Sequence, residues 1–299
     1  MKFAGVSFKM LNKIIFAILL FVSFETSAQL PFAFWKGGCT LDPAACSYFN
    51  RLDSLSISYT AGLKTEYNDY LFKPLRDSSL TDSIACLWIL LSDSSIGLSD
   101  TTRLKQNLMN NRHTLTSVNA LTWTLGQGVK SNGTSSYINT NFNAAGDSLI
   151  FKKNNCGIGI YSRTNADEIT IDCGVVSENE LALSLGGNYD ASINGGEWTH
   201  MITVPNTLGF FLESRVANAS SYAYKGGVQI GSQSTQASGT LTTKNFFLTC
   251  RNNGSGSPAL YTSRQYSIFI ITAGLSSIGA RKLNNILEAF MDHKNAGVQ

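Results

Sequence analysis

Residues 121–142 read LTWTLGQGVKSNGTSSYINTNF. They read as short β segments broken by turns: Leu121–Leu125, a Gly126-Gln127-Gly128 break, Val129 and Lys130, an Asn132-Gly133 turn, then Ser135–Phe142. Asn-Gly between β-prone runs predicts a hairpin, because both central residues of a type I′ turn take φ > 0. Tyr137, Asn139 and Asn141 alternate with Ile138, Thr140 and Phe142. That period of two predicts a strand with one buried face. Tyr137, Asn139 and Asn141 are expected together on one face, without a ligand.

Beyond Asn110 the same period continues. Strands are expected at Leu115–Val118, Leu121–Leu125, Ser135–Asn139, Ser148–Phe151, Gly157–Ser162, Glu168–Val176, Leu181–Leu185, Trp198–Val204, Gly209–Arg215, Ser220–Lys225, Val228–Gly231, Asn245–Thr249 and Tyr266–Thr272. Thr164–Asp167 reads as a hairpin loop and Gly226-Gly227 as a tight turn. Many short strands at regular spacing predict a mainly β, two-sheet antiparallel sandwich. Leu283, Ile286, Leu287, Phe290 and Met291 then form one stripe of a terminal amphipathic helix, capped by Ser276 or Ser277.

Ahead of the opening stretch the periodicity is helical. Leu52, Leu55 and Tyr59 recur at helical spacing, as do Leu63, Tyr67, Tyr70 and Leu71. Pro74 marks a break. Thr81 or Asp82 is read as the cap of a helix with Ile84, Leu87, Trp88 and Leu91 on its apolar face, and Asp100 as the cap of a short helix through Leu104 and Leu108.

The first residues carry a targeting pattern. Lys9 and Lys13 precede the apolar run Ile14–Phe24, and Thr26-Ser27-Ala28 supplies small residues before Gln29. An eleven-residue run is too short to span ~30 Å of hydrocarbon as a helix. A signal peptide over 1–28 is expected, with an uncleaved anchor as the alternative. Cleavage removes three lysines and one glutamate, taking the charge from +3 to +1. Residues 29–112 are then a helical lead-in, and 113–299 the sandwich with its terminal helix. At 14 % charged residues without basic clusters, the composition excludes a nucleic-acid binder. It leaves no membrane contact after cleavage, and a secreted or cell-surface location.

All six cysteines follow residue 28. Cys39 and Cys46 bracket a short loop and are the favoured disulfide pair. Cys156 and Cys173 are a second possible pair, and Cys86 and Cys250 read as buried thiols. No zinc, nucleotide or nucleophile-elbow motif occurs.

Three segments resemble a known family. Leu121–Phe142, with its SNGTSSYINT, is similar to the opening strands of concanavalin A-like domains of the laminin-G and pentraxin kind. Tyr222–Ser232 resembles that family's Tyr-x-Asn-Gly hairpin, with Gly226 where Asn is usual. Asn245–Met291 resembles a subgroup found in phage virion or tail-associated proteins and exported bacterial proteins. The resemblance covers roughly residues 48–294. It implies a jelly-roll sandwich, and members that bind sugars, mediate adhesion, hydrolyse glycosides or only build structure.

Glycosidases of this class carry Glu-x-Asp-x-Glu on a strand. Here the matching run is Glu168-Ile169-Thr170-Ile171-Asp172, with Thr170 in place of the central Asp and Asp172 in place of Glu. Two departures in three positions argue against a catalytic pair. His113, His200 and His293 are isolated, and His293 suits the end of the last helix. The segment Gly186–His200 carries Tyr189 and Trp198 with Asp190, Asn194 and Glu197 as polar partners. An aromatic platform with placed polar groups suits a sugar. Laminin-G-like rims also take calcium, but Asp147, Asp172 and Asp190 are scattered singly. The expectation is a non-enzymatic, exported recognition or adhesion protein without a cofactor. Its partner would be a glycan or host-surface receptor, on a cell or a virion, with or without homo-oligomerisation. The alternative is a structural virion or surface component with no small ligand.

Overall fold

The computed structural model describes residues 39–92, 100–147, 149–166, 168, 170–176, 179–183, 189–195 and 200–298. The expected signal peptide lies outside them. The chain divides into two units, Met1–Leu41 and Asp42–Gln299. Of the first, Cys39–Leu41 are described, and none is in a helix or strand.

Helices open the second unit because caps and proline fix where they begin. The Asp42 carboxylate accepts the Ala44 N–H at 2.9 Å, and Pro43 opens α1 (Pro43–Ser54), where its missing N–H has no helical partner to lose. Thr60 accepts the Leu63 N–H at 3.0 Å and caps α2 (Ala61–Tyr67). The chain does not break at Pro74. A π turn, Asn68–Phe72, carries α2 into α3 (Lys73–Asp77), and the Lys73 N–H reaches back five residues to the Asn68 carbonyl. The wider turn accommodates a proline that cannot donate and would otherwise crowd the preceding turn.

Ile84, Leu87 and Trp88 are not on a helix. They belong to β1 (Ile84–Ile89), every residue of which is buried. It pairs antiparallel with β17 (Gln265–Thr272), Leu87 opposite Ile270 and Ile89 opposite Ile268. A strand buried on both faces shows no polar alternation, so its apolar run looks like a short buried helix. In α4 (Thr101–Leu104), the Asp100 side chain does not cap the helix; it takes Arg103 Nε at 2.7 Å.

The first sheet runs β13 (Val228–Gln233), β12 (Ser220–Lys225), β11 (Gly209–Ala217), β6 (Cys156–Ser162), β17, β4 (Gly128–Lys130), β3 (Thr122–Thr124), with β1 alongside β17. The second runs β10 (His200–Ile202), β9 (Tyr189–Ile193), β8 (Asn179–Leu183), β7 (Cys173–Val175), β14 (Asn245–Leu248), β5 (Tyr137–Asn143), β2 (Thr116–Val118). A short pair, β15 (Arg251–Asn252) and β16 (Pro258–Ala259), joins β7 through one parallel contact. Ile158, Ile160, Phe211 and Phe269 from the first sheet meet Ile138, Ala191, Phe246 and Leu248 from the second in one core. The result is a mainly β, two-sheet antiparallel sandwich of jelly-roll type, with helices before it and one after it.

That last helix, α5 (Ser277–His293), lies on the outside of the first sheet. Ser276 caps it by accepting the Gly279 N–H at 3.3 Å. Leu283, Ile286, Leu287, Phe290 and Met291 are all buried, each worth about 1.5–3 kcal/mol of apolar burial. Tyr161 of β6 donates to Glu288 Oε2 at 2.9 Å, and Tyr67 meets Phe290 edge-on at 5.3 Å. The layers are therefore helix, sheet, sheet.

The opening stretch divides between the sheets. Its hairpin is β3–β4, turning through Leu125–Gln127, with Thr122 opposite Lys130. Gly128 takes φ +122°, and a Cβ there would sit 2.0 Å from the Tyr266 carbonyl oxygen. Asn132-Gly133 is not a hairpin. Gly133 has φ +75°, but Asn132 has no positive φ. The Asn132 carboxamide instead accepts the N–H groups of Thr134, Ser135 and Ser136. This knot moves the chain from β4 in one sheet to β5 in the other. The Thr164–Asp167 hairpin is likewise corrected, since β6 and β7 lie in different sheets. Leu149–Phe151 forms no strand, and Glu168–Val176 shortens to Cys173–Val175. Gly226-Gly227 does turn β12 into β13, with φ +57° and +73°.

Candidate functional site

Tyr189 alternates along β9 with Ala191 and Ile193, and all three point into the core. Its ring stacks on Phe211 at 5.9 Å, and its hydroxyl donates to Glu213 Oε2 at 3.2 Å. A fully buried tyrosine offers no face to a sugar, so its expected role as a platform is corrected. Asn194 is buried at φ +44°, and its Nδ2 donates to the Lys153 carbonyl at 2.6 Å, tying two loops together. Asp190 faces the other way from Tyr189. It is half-buried, and burial raises its carboxyl above the ordinary value. Glu197 and Trp198 lie outside the described residues. Among those described, this segment does not assemble a binding surface.

Glu168 and Asp172 do not form a pair on one strand. Asp172 is buried and salt-bridged to Arg264, Oδ1 to Nη1 at 3.1 Å, and also accepts the Tyr266 hydroxyl. Glu168 accepts the Thr262 hydroxyl at 2.8 Å and the Ser263 N–H at 2.9 Å. Burial pushes its carboxyl up, but these bonds outweigh it and hold the group below the ordinary value. Both carboxylates brace the segment leading into β17.

The face that does assemble lies on the outside of the second sheet, on β5 and β14. Along β5 Ile138, Thr140 and Phe142 are buried, which turns Tyr137, Asn139 and Asn141 outward. Phe247 stands opposite Asn139 in register, on the same outer side. The Tyr137 and Phe247 rings lie 4.6 Å apart at 38°, and Tyr261 meets Tyr137 at 6.3 Å. Around them opens a cleft of about 290 Å³, lined by Tyr137, Asn139, Lys244, Asn245, Phe247 and Asn252 among others. Burial raises the Tyr137 phenol, so it stays a neutral donor at ordinary pH. Phe247 is itself buried, so of this pair Tyr137 presents its ring to the cleft, and the rim carries amides. Tyr137 and Asn139 were legible as an outward face. Phe247 is distant in sequence, and only sheet pairing brings it to them.

Cys39 and Cys46 are each disulfide-bonded. Cys86, Cys156, Cys173 and Cys250 are buried thiols, so Cys156 and Cys173 form no disulfide. His113 Nδ1 lies 2.9 Å from the Asn141 carbonyl and His293 stacks on Tyr70 at 3.7 Å. Asp147 is held by Arg112, and Asp172 by Arg264. Among the described residues no group of three His, Cys, Asp or Glu side chains could hold a metal ion.

No protein-family pattern and no curated protein matches the chain. Solved structures do. The binding domain of botulinum neurotoxin serotype D is similar at 11% identity and a TM-score of 0.44, over 69% of this chain and 52% of that one. Domain 4 of an extracellular GH43 arabinanase from Geobacillus stearothermophilus, solved with arabinotriose, is similar at 12% identity and 0.43, over 68% of this chain and 98% of that domain. The sialidase of Trypanosoma rangeli is similar at 9% identity and 0.44, over 80% of this chain and 40% of that one. The chain spans about half the length of the toxin binding-domain structures it matches.

Proposed function

We propose that this chain is an exported, non-enzymatic recognition or adhesion protein that binds a saccharide on the outer face of its second sheet. The observation that carries this is the partly exposed Tyr137 ring, backed at 4.6 Å by the buried Phe247, in an amide-rimmed cleft. A pyranose presents an apolar face that packs on an aromatic ring, while its hydroxyls need donors and acceptors at the edge. Asn139 and Asn245 supply amides there. The laminin-G-like resemblance of the sequence supports the same reading. Glu168 and Asp172 each have a structural task, which favours binding over hydrolysis. Export rests on the basic, apolar and small-residue pattern of residues 9–28, and on the disulfide bonding of Cys39 and Cys46, which suits an oxidising compartment.

The test is a glycan array followed by titration of the strongest binder. Tyr137→Ala is expected to weaken binding by roughly tenfold or more, with little change in melting temperature, because the ring is partly exposed. A glycan bound equally well by Tyr137→Ala would place the site elsewhere. Amino-terminal sequencing of secreted protein is expected to start at Gln29.

A further inference from the structure

Among its described lining residues the β5–β14 cleft carries a positive charge and no negative one. Asn139 Oδ1 already accepts the Asn141 N–H at 2.9 Å, and Asn252 Oδ1 accepts the Gly256 N–H at 3.0 Å. Asn252 Nδ2 is spent on the Asn245 carbonyl at 2.9 Å. The Asn139 Nδ2 makes no hydrogen bond to the described residues, so a donor remains on this lining side chain. Lys244 is the one charged residue lining the cleft among the described residues. Its backbone is set by its N–H to Thr242 Oγ1 at 3.1 Å, its side chain is exposed, and no ion pair to it occurs among the described residues. No described carboxylate lines this cleft.

We infer that the saccharide bound here is an acidic one, carrying a carboxylate or sulfate that meets Lys244 and the Asn139 amide while its ring packs on Tyr137. This rests on the saccharide reading above and adds the charge of the ligand. A neutral sugar gains nothing from the charge of the Lys244 ammonium, whereas an anionic one is attracted to it. An anionic group accepts from both donors, and charge-assisted bonds are about twice as strong as neutral ones.

The probes are matched oligosaccharides of one linkage in three forms: neutral hexose, hexuronate and sulfated hexose. Each is titrated into the full chain and into Lys244→Gln, at low and at physiological salt. The expected result is at least one acidic form binding about tenfold tighter than the neutral form at low salt. The uronate and sulfate arms separate the two sources of charge. Preference is expected to shrink at physiological salt, where the screening length falls to about 8 Å. Lys244→Gln should abolish the preference, leaving the acidic and neutral forms bound alike. Equal binding of all three forms, or a preference that survives in Lys244→Gln, overturns this inference and leaves the saccharide reading standing. If no saccharide binds in any form, both fall.

Discussion

Arg264 Nη1 lies 3.1 Å from Asp172 Oδ1, and neither side chain has any solvent exposure. The other guanidinium arm donates to the Ala166 carbonyl at 2.9 Å. The pair fastens the segment before β7 to the start of β17, so each sheet is held to the other by charge as well as by packing.

Removing one member leaves the other charged and buried. Asp172→Leu is expected to lose about 3–5 kcal/mol of stability, more than the double replacement Asp172→Leu with Arg264→Met. Urea denaturation of the two singles and the double checks this. A double variant less stable than either single would contradict it.

Glu168 predicts an acid-dependent loss. Its folded-state carboxyl is held below the ordinary value, burial being outweighed by the bonds from Ser263 and Thr262. The stabilisation is complete above the unfolded value of about 4.3 and drains away as pH falls through the lower folded value. Glu168→Gln should melt below wild type at neutral pH, and the gap should close in strong acid. A gap of constant size from neutral pH to pH ~3 would sink the argument.

Gly128→Ala is expected to be among the most damaging small substitutions. It demands φ +122° of an L-residue and drives a methyl to 2.0 Å from the Tyr266 carbonyl. Gly239→Ala, with nothing within 4 Å of the added atom and no positive φ, is its control. Soluble yield and melting temperature should fall sharply for the first and change little for the second.

Cysteine chemistry should divide sharply. Burial pushes the Cys156 and Cys250 thiols well up, so the thiolate that reacts is scarce. Alkylation of the native, unreduced protein should label almost nothing. In denaturant, still without reductant, Cys86, Cys156, Cys173 and Cys250 should label, and peptide mapping should recover Cys39 linked to Cys46. A Cys156–Cys173 crosslink would contradict the structure.

The sandwich was legible because β5, β6, β11, β12 and β17 each carry a period of two or a β-branched run between turn residues. The stripe on α5 and its Ser276 cap were legible for the same local reason. β1 was not, since burial on both faces erased its period. The Asn132-Gly133 knot was misread because a carboxamide that caps three N–H groups leaves the same dipeptide in the sequence as a hairpin does. Tyr189 looked like a surface aromatic only while its partner Phe211 was unknown. The outer face of β5 was readable, but not its completion by Phe247 and Lys244, which depends on pairing between distant strands.

The pairing of Ile89 with Ile268 carries a consequence for synthesis. β17 sits between β6 and the strands β1 and β4, so the centre of the first sheet stays vacant until β17 itself has been made. β1 must wait with both apolar faces uncovered, a state open to aggregation and slow to resolve. A nascent chain lacking β17 should be protease-sensitive and chaperone-bound, and should become resistant only once β17 has emerged from the ribosome.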